Sequence, residues 1–113
     1  MSSTTSRVSE IIKLYLAVLA QKGIPVQAAY LFGSHTKGRA ELYSDIDLVV
    51  VSPAFCNMPL WRRWEILGDA LAEVLEPIEA RGYAPEEIDQ AQKQKTSFLY
   101  EVLNEPETIE YHP

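Results

Sequence analysis

Apolar positions along the chain fall into blocks with two different periods, and the periods assign the elements. Val8, Ile11, Ile12, Tyr15, Val18 and Leu19 recur at three- and four-residue intervals, the spacing of one helical face. Ser6 is placed to cap this helix, and Gly23 followed by Pro25 stops it. Residues 26–32 are β-rich and mostly apolar, which predicts a buried strand ended by Gly33-Ser34. Residues 35–43 are expected to form a loop or a short helix broken at Gly38. Residues 45–52 form a second strand, closed by Pro53. Its run Leu48-Val49-Val50-Val51 is continuous rather than alternating, which places it in the sheet centre with both faces buried.

Downstream, Asn57 is a candidate cap with Pro59 in the first turn of a helix. That helix carries Trp61, Trp64, Leu67, Leu71, Val74 and Leu75 toward the core and ends near Glu76. On this phase the two tryptophans pack inside, base stacking being the alternative, and Arg62 and Arg63 are solvated. Residues 77–83 form a third, short strand with imperfect alternation. Pro85-Glu86-Glu87-Ile88 opens a further helical stretch, with acids in its first turn as the helix dipole prefers. Residues 96–103 carry Phe98, Leu99, Val102 and Leu103 on a last short helix, and residues 108–111 close the chain as an edge strand. There is no internal repeat or linker. The expected fold class is α/β: a mixed sheet flanked by helices.

The 113 residues fit one domain, 1–113, with residues 1–6 expected as a disordered polar leader. A formal net charge of −6 argues against sequence-independent binding to nucleic acid or anionic membrane. No apolar run approaches the length of a membrane span, and the first residues lack the marks of a signal peptide. The single cysteine, Cys56, permits no internal disulfide and suits a reducing cytoplasm; it is expected to be an incidental thiol.

The chemistry concentrates at two strand ends. Asp45 and Asp47 lie two apart, so on a strand both carboxylates share a face while Ile46 points to the core. Two carboxylates together repel unless a cation sits between them, and oxygen ligands select Mg²⁺ or Mn²⁺. Mg²⁺ ordinarily takes one or two carboxylates and completes its sphere with substrate phosphates. Gly33 lets backbone approach a ligand, and the Ser34 hydroxyl can bond a phosphate oxygen. Lys37 and Arg39 bring positive charge to the same loop. Together these parts match a nucleoside triphosphate held by its phosphates, without the Gly-Lys-Ser/Thr of a P-loop. His35 is expected as an exposed loop residue, its alternative being a phosphate contact, and His112 has no assigned role.

The stretch Leu31-Phe32-Gly33-Ser34, the spacer 35–44 and Ser44-Asp45-Ile46-Asp47-Leu48-Val49-Val50 resembles the signature of the polymerase-β-type nucleotidyltransferases. The short chain resembles their minimal branch. Pro77-Ile78-Glu79 and Tyr83-Ala84-Pro85-Glu86-Glu87 resemble the family's third strand and the turn after it. The resemblance implies the small nucleotidyltransferase fold. It implies a third catalytic carboxylate at Glu79, where aspartate is the more usual occupant, with Glu76 a weaker candidate. Lys37 stands where arginine is frequent, and lysine lacks the bidentate fork.

The implied activity is metal-dependent transfer of a nucleoside monophosphate, AMP from ATP, to an acceptor hydroxyl. Asp45, Asp47 and Glu79 would hold metal, and Gly33, Ser34, Lys37 and Arg39 would bind nucleotide. Relatives of this size resemble the antitoxin of toxin–antitoxin pairs whose partner is an all-helical HEPN ribonuclease, the acceptor being a tyrosine on that toxin. Two other readings stand beside it: a small-molecule transferase of the antibiotic-modifying kind completed by a partner subunit, and a non-catalytic module that neutralises its partner by contact. The sequence leaves the oligomeric state open, with exposed edge strands and the small size compatible with a homo- or hetero-oligomer.

Overall fold

A computed structural model describes residues 3–36, 45–95 and 97–113. Among these residues the order is α1 (Ser3–Gln21), β1 (Ala28–Phe32), a 3₁₀ turn (Ser34–Thr36), β2 (Ile46–Val51), a second 3₁₀ turn (Pro53–Phe55), α2 (Leu60–Val74), β3 (Ile78–Tyr83), α3 (Pro85–Gln94), α4 (Phe98–Asn104) and β4 (Ile109–Tyr111). The sheet order is β3-β2-β1-β4. β1 runs antiparallel to β2 and β4, and β2 runs parallel to β3. The parallel pair needs a crossover, which α2 provides. The fold is the expected mixed α/β sheet flanked by helices.

β2 is central, as its unbroken apolar run implied. Ile46, Leu48 and Val50 join a core with Ile12, Tyr15, Leu16 and Leu19 of α1 and Leu67, Ala70 and Val74 of α2. Val49 and Val51 turn the other way and meet Ala91 of α3 and Leu99 and Val102 of α4. A strand buried on both faces cannot alternate apolar with polar, so it shows a continuous run. Asp47 departs from that run, and it lies at the strand's mouth on the α3–α4 side.

Several local expectations are corrected. α1 begins at Ser3, so Ser6 lies inside the helix rather than at its cap. The residue flanking α2 is Pro59, without a side-chain bond, while Asn57 adopts a left-handed φ of 62° in the preceding turn. The largest correction is the phase of α2. Its buried face is Arg63, Leu67, Ala70 and Val74, whereas Trp61 and Trp64 stand in solvent. The cause is tertiary. Ile46 N–H donates to Pro77 O and Ser52 N–H to Tyr83 O, so the odd-numbered residues of β3 turn their peptides to β2. The even-numbered ones face the open sheet edge. Arg63 covers that edge: Nη1 donates to Gly82 O at 3.1 Å and to Glu87 Oε1 at 2.5 Å, and Nε donates to Met58 O at 2.9 Å. Its guanidinium also lies 5.8 Å from the centroid of the buried Phe55 ring. An open edge is a liability unless covered, and a buried arginine with three acceptors covers it here.

Candidate active site

The site forms where β1 ends and β2 and β3 begin. The register sets Phe32 opposite Asp47 across the antiparallel pair and Asp47 beside Glu79 across the parallel pair. Residues paired in register share a face. Asp47, Glu79 and Arg81 therefore emerge on the α3–α4 side, while Ile46 and Ile78 enter the core. Asp45 is exposed and precedes the strand, which starts at Ile46.

Gly33 closes the mouth. Its φ is 83°, in the left-handed region, and a Cβ there would overlap Asp47 Oδ2 and lie 3.2 Å from Cγ. Only glycine satisfies both demands. The turn is locked when Thr36 N–H and Thr36 Oγ1 both donate to Gly33 O, at 3.1 and 2.7 Å. The glycine singled out for approach of a ligand is thus also the residue that lets the Asp47 carboxylate lie against the β1 turn. Lys37 and Arg39 lie outside the described residues.

The electrostatics are those of a crowded anionic site. Burial raises the Asp47 carboxyl above the ordinary carboxylate range, and the negative charges of Glu79 and Asp45 push it further. Arg81 and His35 pull it back. His35 is half-buried beside Asp47 rather than an exposed loop residue. Arg81 was not foreseen. Its Nη2 lies 3.8 Å from Glu79 Oε1, and its guanidinium stands 4.8 Å from the centroid of Phe98. Phe98 in turn packs edge-on against Phe32, with centroids 5.5 Å apart. The alternation of β3 held the signal: a residue two after Glu79 shares its face.

A divalent cation can be tested against this donor set. The candidate donors are carboxylate oxygens, which suit hard ions, and the mutual repulsion that raises Asp47 is what a cation would relieve. Among the described residues no three His, Cys, Asp or Glu side chains stand close enough together to hold a metal unaided. The set fits an ion shared between Asp45, Asp47 and substrate phosphates better than an all-protein cage. Glu79, drawn toward Arg81, is not gathered into such a cage. Beyond Phe98 a groove of about 350 Å³ opens, lined by Tyr83, Glu87, Gln90, Gln94, Phe98 and Leu99.

Cys56 is remote from this mouth. Its exposed thiol donates to Glu86 Oε2 at 2.8 Å, and that bond raises its pKa, which disfavours the thiolate. No helix among the described residues is long and apolar enough to cross a membrane.

A family model described as a nucleotidyltransferase domain matches residues 12–105, from within α1 to the residue that follows α4. The chain belongs to the nucleotidyltransferase domain family. The match takes in the whole mouth: Gly33, Asp45, Asp47 and Glu79. A Sulfolobus solfataricus protein crystallised as a candidate nucleotidyltransferase shares the fold at a TM-score of 0.57, with 19% identity over 80% of this chain and 81% of that one. A toxin–antitoxin structure with AMP-PNP aligns at a TM-score of 0.46, with 23% identity over 70% of this chain and 65% of that one, a likeness too remote to carry an argument. No curated protein matches the chain by sequence.

Proposed function

We propose that this nucleotidyltransferase moves a nucleoside monophosphate, AMP from ATP, onto a hydroxyl of a partner protein. The observation that carries the reading is the half-buried Asp47 carboxylate, set against Gly33 and crowded by Asp45 and Glu79. Such crowding disfavours charge on Asp47 in the free protein and favours a Mg²⁺- or Mn²⁺-bound substrate. The acceptor oxygen attacks the α-phosphorus, the bond to the pyrophosphate oxygen breaks, and the hydroxyl proton leaves to a nearby base.

Asp45 and Asp47 would hold the ion, which supplies charge neutralisation on the triphosphate. Gly33 and Ser34 position the phosphates at the β1 turn, and Lys37 and Arg39 add positive charge from the following segment. Glu79 is the third carboxylate of the proposal and acts on the acceptor side. Arg81, not assigned from sequence, sits where it can offset charge on the same group. The identity of the partner as an all-helical HEPN toxin, its tyrosine as acceptor and a role as antitoxin rest on the resemblance of the Leu31–Ser34 and Ser44–Val50 motifs. The pairing of Glu79 with Arg81 favours a second reading, a module that binds nucleotide and neutralises its partner by contact.

Incubation with α-labelled ATP and Mg²⁺, with and without the copurified partner, separates them. Label on the partner that is lost in Asp47→Asn supports transfer. Nucleotide binding with no label on any protein at high enzyme supports contact alone. Independently, saturating Mg²⁺·ATP should raise Tm by roughly 5 °C or more for a ligand at about a hundred times its Kd. Asp47→Asn should abolish that response, and an unresponsive wild type would refute the metal–nucleotide site.

A further inference from the structure

α2 carries two apolar faces, and one chain uses only one of them. Away from the buried face run Trp61, Trp64, Gly68, Ala72 and Leu75, at three- and four-residue intervals, with Leu60 alongside. Trp61 is 63% exposed, Trp64 62% and Leu75 82%. Two features of this stripe have no use among the described residues of a single chain. Gly68 interrupts the middle of the helix, yet a Cβ there would meet nothing among the described residues within 4 Å. Glycine weakens a helix interior, so some demand outside the chain has to account for it. Leu75 holds a left-handed φ of 59° at the C-cap, a conformation that favours glycine, and still presents its side chain to water.

The stripe is also arranged symmetrically in position. Trp61 and Leu75 lie seven residues to either side of Gly68, and Trp64 and Ala72 four residues to either side. We infer that α2 is the interface of a homodimer, in which a second copy packs antiparallel with the two-fold axis through Gly68. Each Trp64 then lies over the small Ala72 of the second copy, and each Trp61 packs against its exposed Leu75. Glycine at the crossing lets the two backbones approach closely, which a side chain there would prevent. An isologous interface requires such self-complementarity, whereas an unrelated partner does not.

The area is sufficient for a modest dimer. Each tryptophan offers about 150 Å² at its observed exposure, since an aromatic side chain buries up to about 250 Å². Leu60 and Leu75 bring each copy to roughly 500 Å², or about 1,000 Å² in total, the lower bound for a specific interface. The stripe contains none of the site residues. Sheet and mouth remain open to nucleotide in the dimer.

Sedimentation equilibrium of the full chain from about 1 µM to about 1 mM tests this inference. The weight-average mass should climb from 12.8 kDa toward twice that value. Emission from the two tryptophans, the only ones in the chain, should shift to shorter wavelength over the same range. Gly68→Leu should leave the Tm of the dilute protein unchanged or higher, because the space is open and leucine is the better helix former, yet weaken association at least tenfold. Trp64→Ala should weaken it similarly. A single-chain mass throughout, with water-like emission, overturns the inference. So does a dimer indifferent to Gly68→Leu, a Gly68→Leu protein that melts lower, or tryptophan burial that appears only when a different protein is added.

Discussion

At the residue scale, the site depends on one contact: the Asp47 carboxylate lying where a Gly33 side chain would be. Gly33→Ala should destabilise the protein by about 1–2 kcal/mol from the left-handed backbone alone. It should also displace Asp47, so that nucleotide-dependent stabilisation falls further than the loss of Tm explains; calorimetry with and without Mg²⁺·ATP distinguishes the two. Arg63 is the opposite case, a charged residue that serves structure. It is 6% exposed and donates to Met58 O, Gly82 O and Glu87. Arg63→Met leaves two carbonyls without their donor and should cost about 2–4 kcal/mol in denaturant unfolding. Lysine should rescue little of that, because one ammonium cannot replace the planar fork. The placing of Gly33 and Asp47 at facing strand ends was legible because it follows from local spacing. Arg63 was not, because its partners lie elsewhere in the chain; the period of β3 places Arg81 on the face of Glu79, and only its stacking on Phe98 of α4 needed the fold.

At the element scale, α1 and α2 are locked to each other by Tyr15. The side chain is fully buried, and its hydroxyl donates to Leu67 O at 2.8 Å. Burial pushes the phenol well above its ordinary value of 10.0. The unfolded chain therefore ionises first. Below pH 10 both states are protonated and the contribution of Tyr15 is complete; as pH rises past that value the unfolded state sheds its proton and stability falls. Tyr15→Phe should cost about 1 kcal/mol at neutral pH for the lost hydrogen bond and flatten the alkaline decline. Urea titrations at about pH 7 and about pH 11 read both effects. Tyr30, raised by burial and by Glu110, supplies a residual slope. The helix phase belongs to the same scale: the sequence period of α2 admits two apolar faces, and contact with the sheet selected the one containing Arg63, Leu67, Ala70 and Val74.

At the scale of the whole molecule, the mouth is built from the ends of three strands, so its precision rests on the central sheet. β2 supplies Asp47 and also the residues that join the two cores, Leu48 and Val50 on one face and Val49 and Val51 on the other. Leu48→Ala should cost about 2–5 kcal/mol, since the residue is wholly buried with no surface onto which the site can collapse. Its cost should appear in the global unfolding transition, measured by denaturant titration, rather than as a local loosening. The C-terminal strand closes the sheet on the other side, where β4 pairs with β1 and Tyr111 shares a hydrogen bond of 2.9 Å with Ser9 of α1.

What the amino-acid sequence determined alone was whatever depends on near neighbours. The strand–Gly-Ser–spacer–Asp-x-Asp order, the central position of β2 and the succession of helices and strands all follow from period and turn chemistry within short windows. Tertiary structure decided which of two apolar faces of α2 would be buried, that Arg63 would cover the β3 edge, and that Arg81 would stand against Phe98. Those outcomes turn on register between strands and on the approach of a helix to a sheet. Such contacts join residues distant in the chain, and no local pattern encodes them.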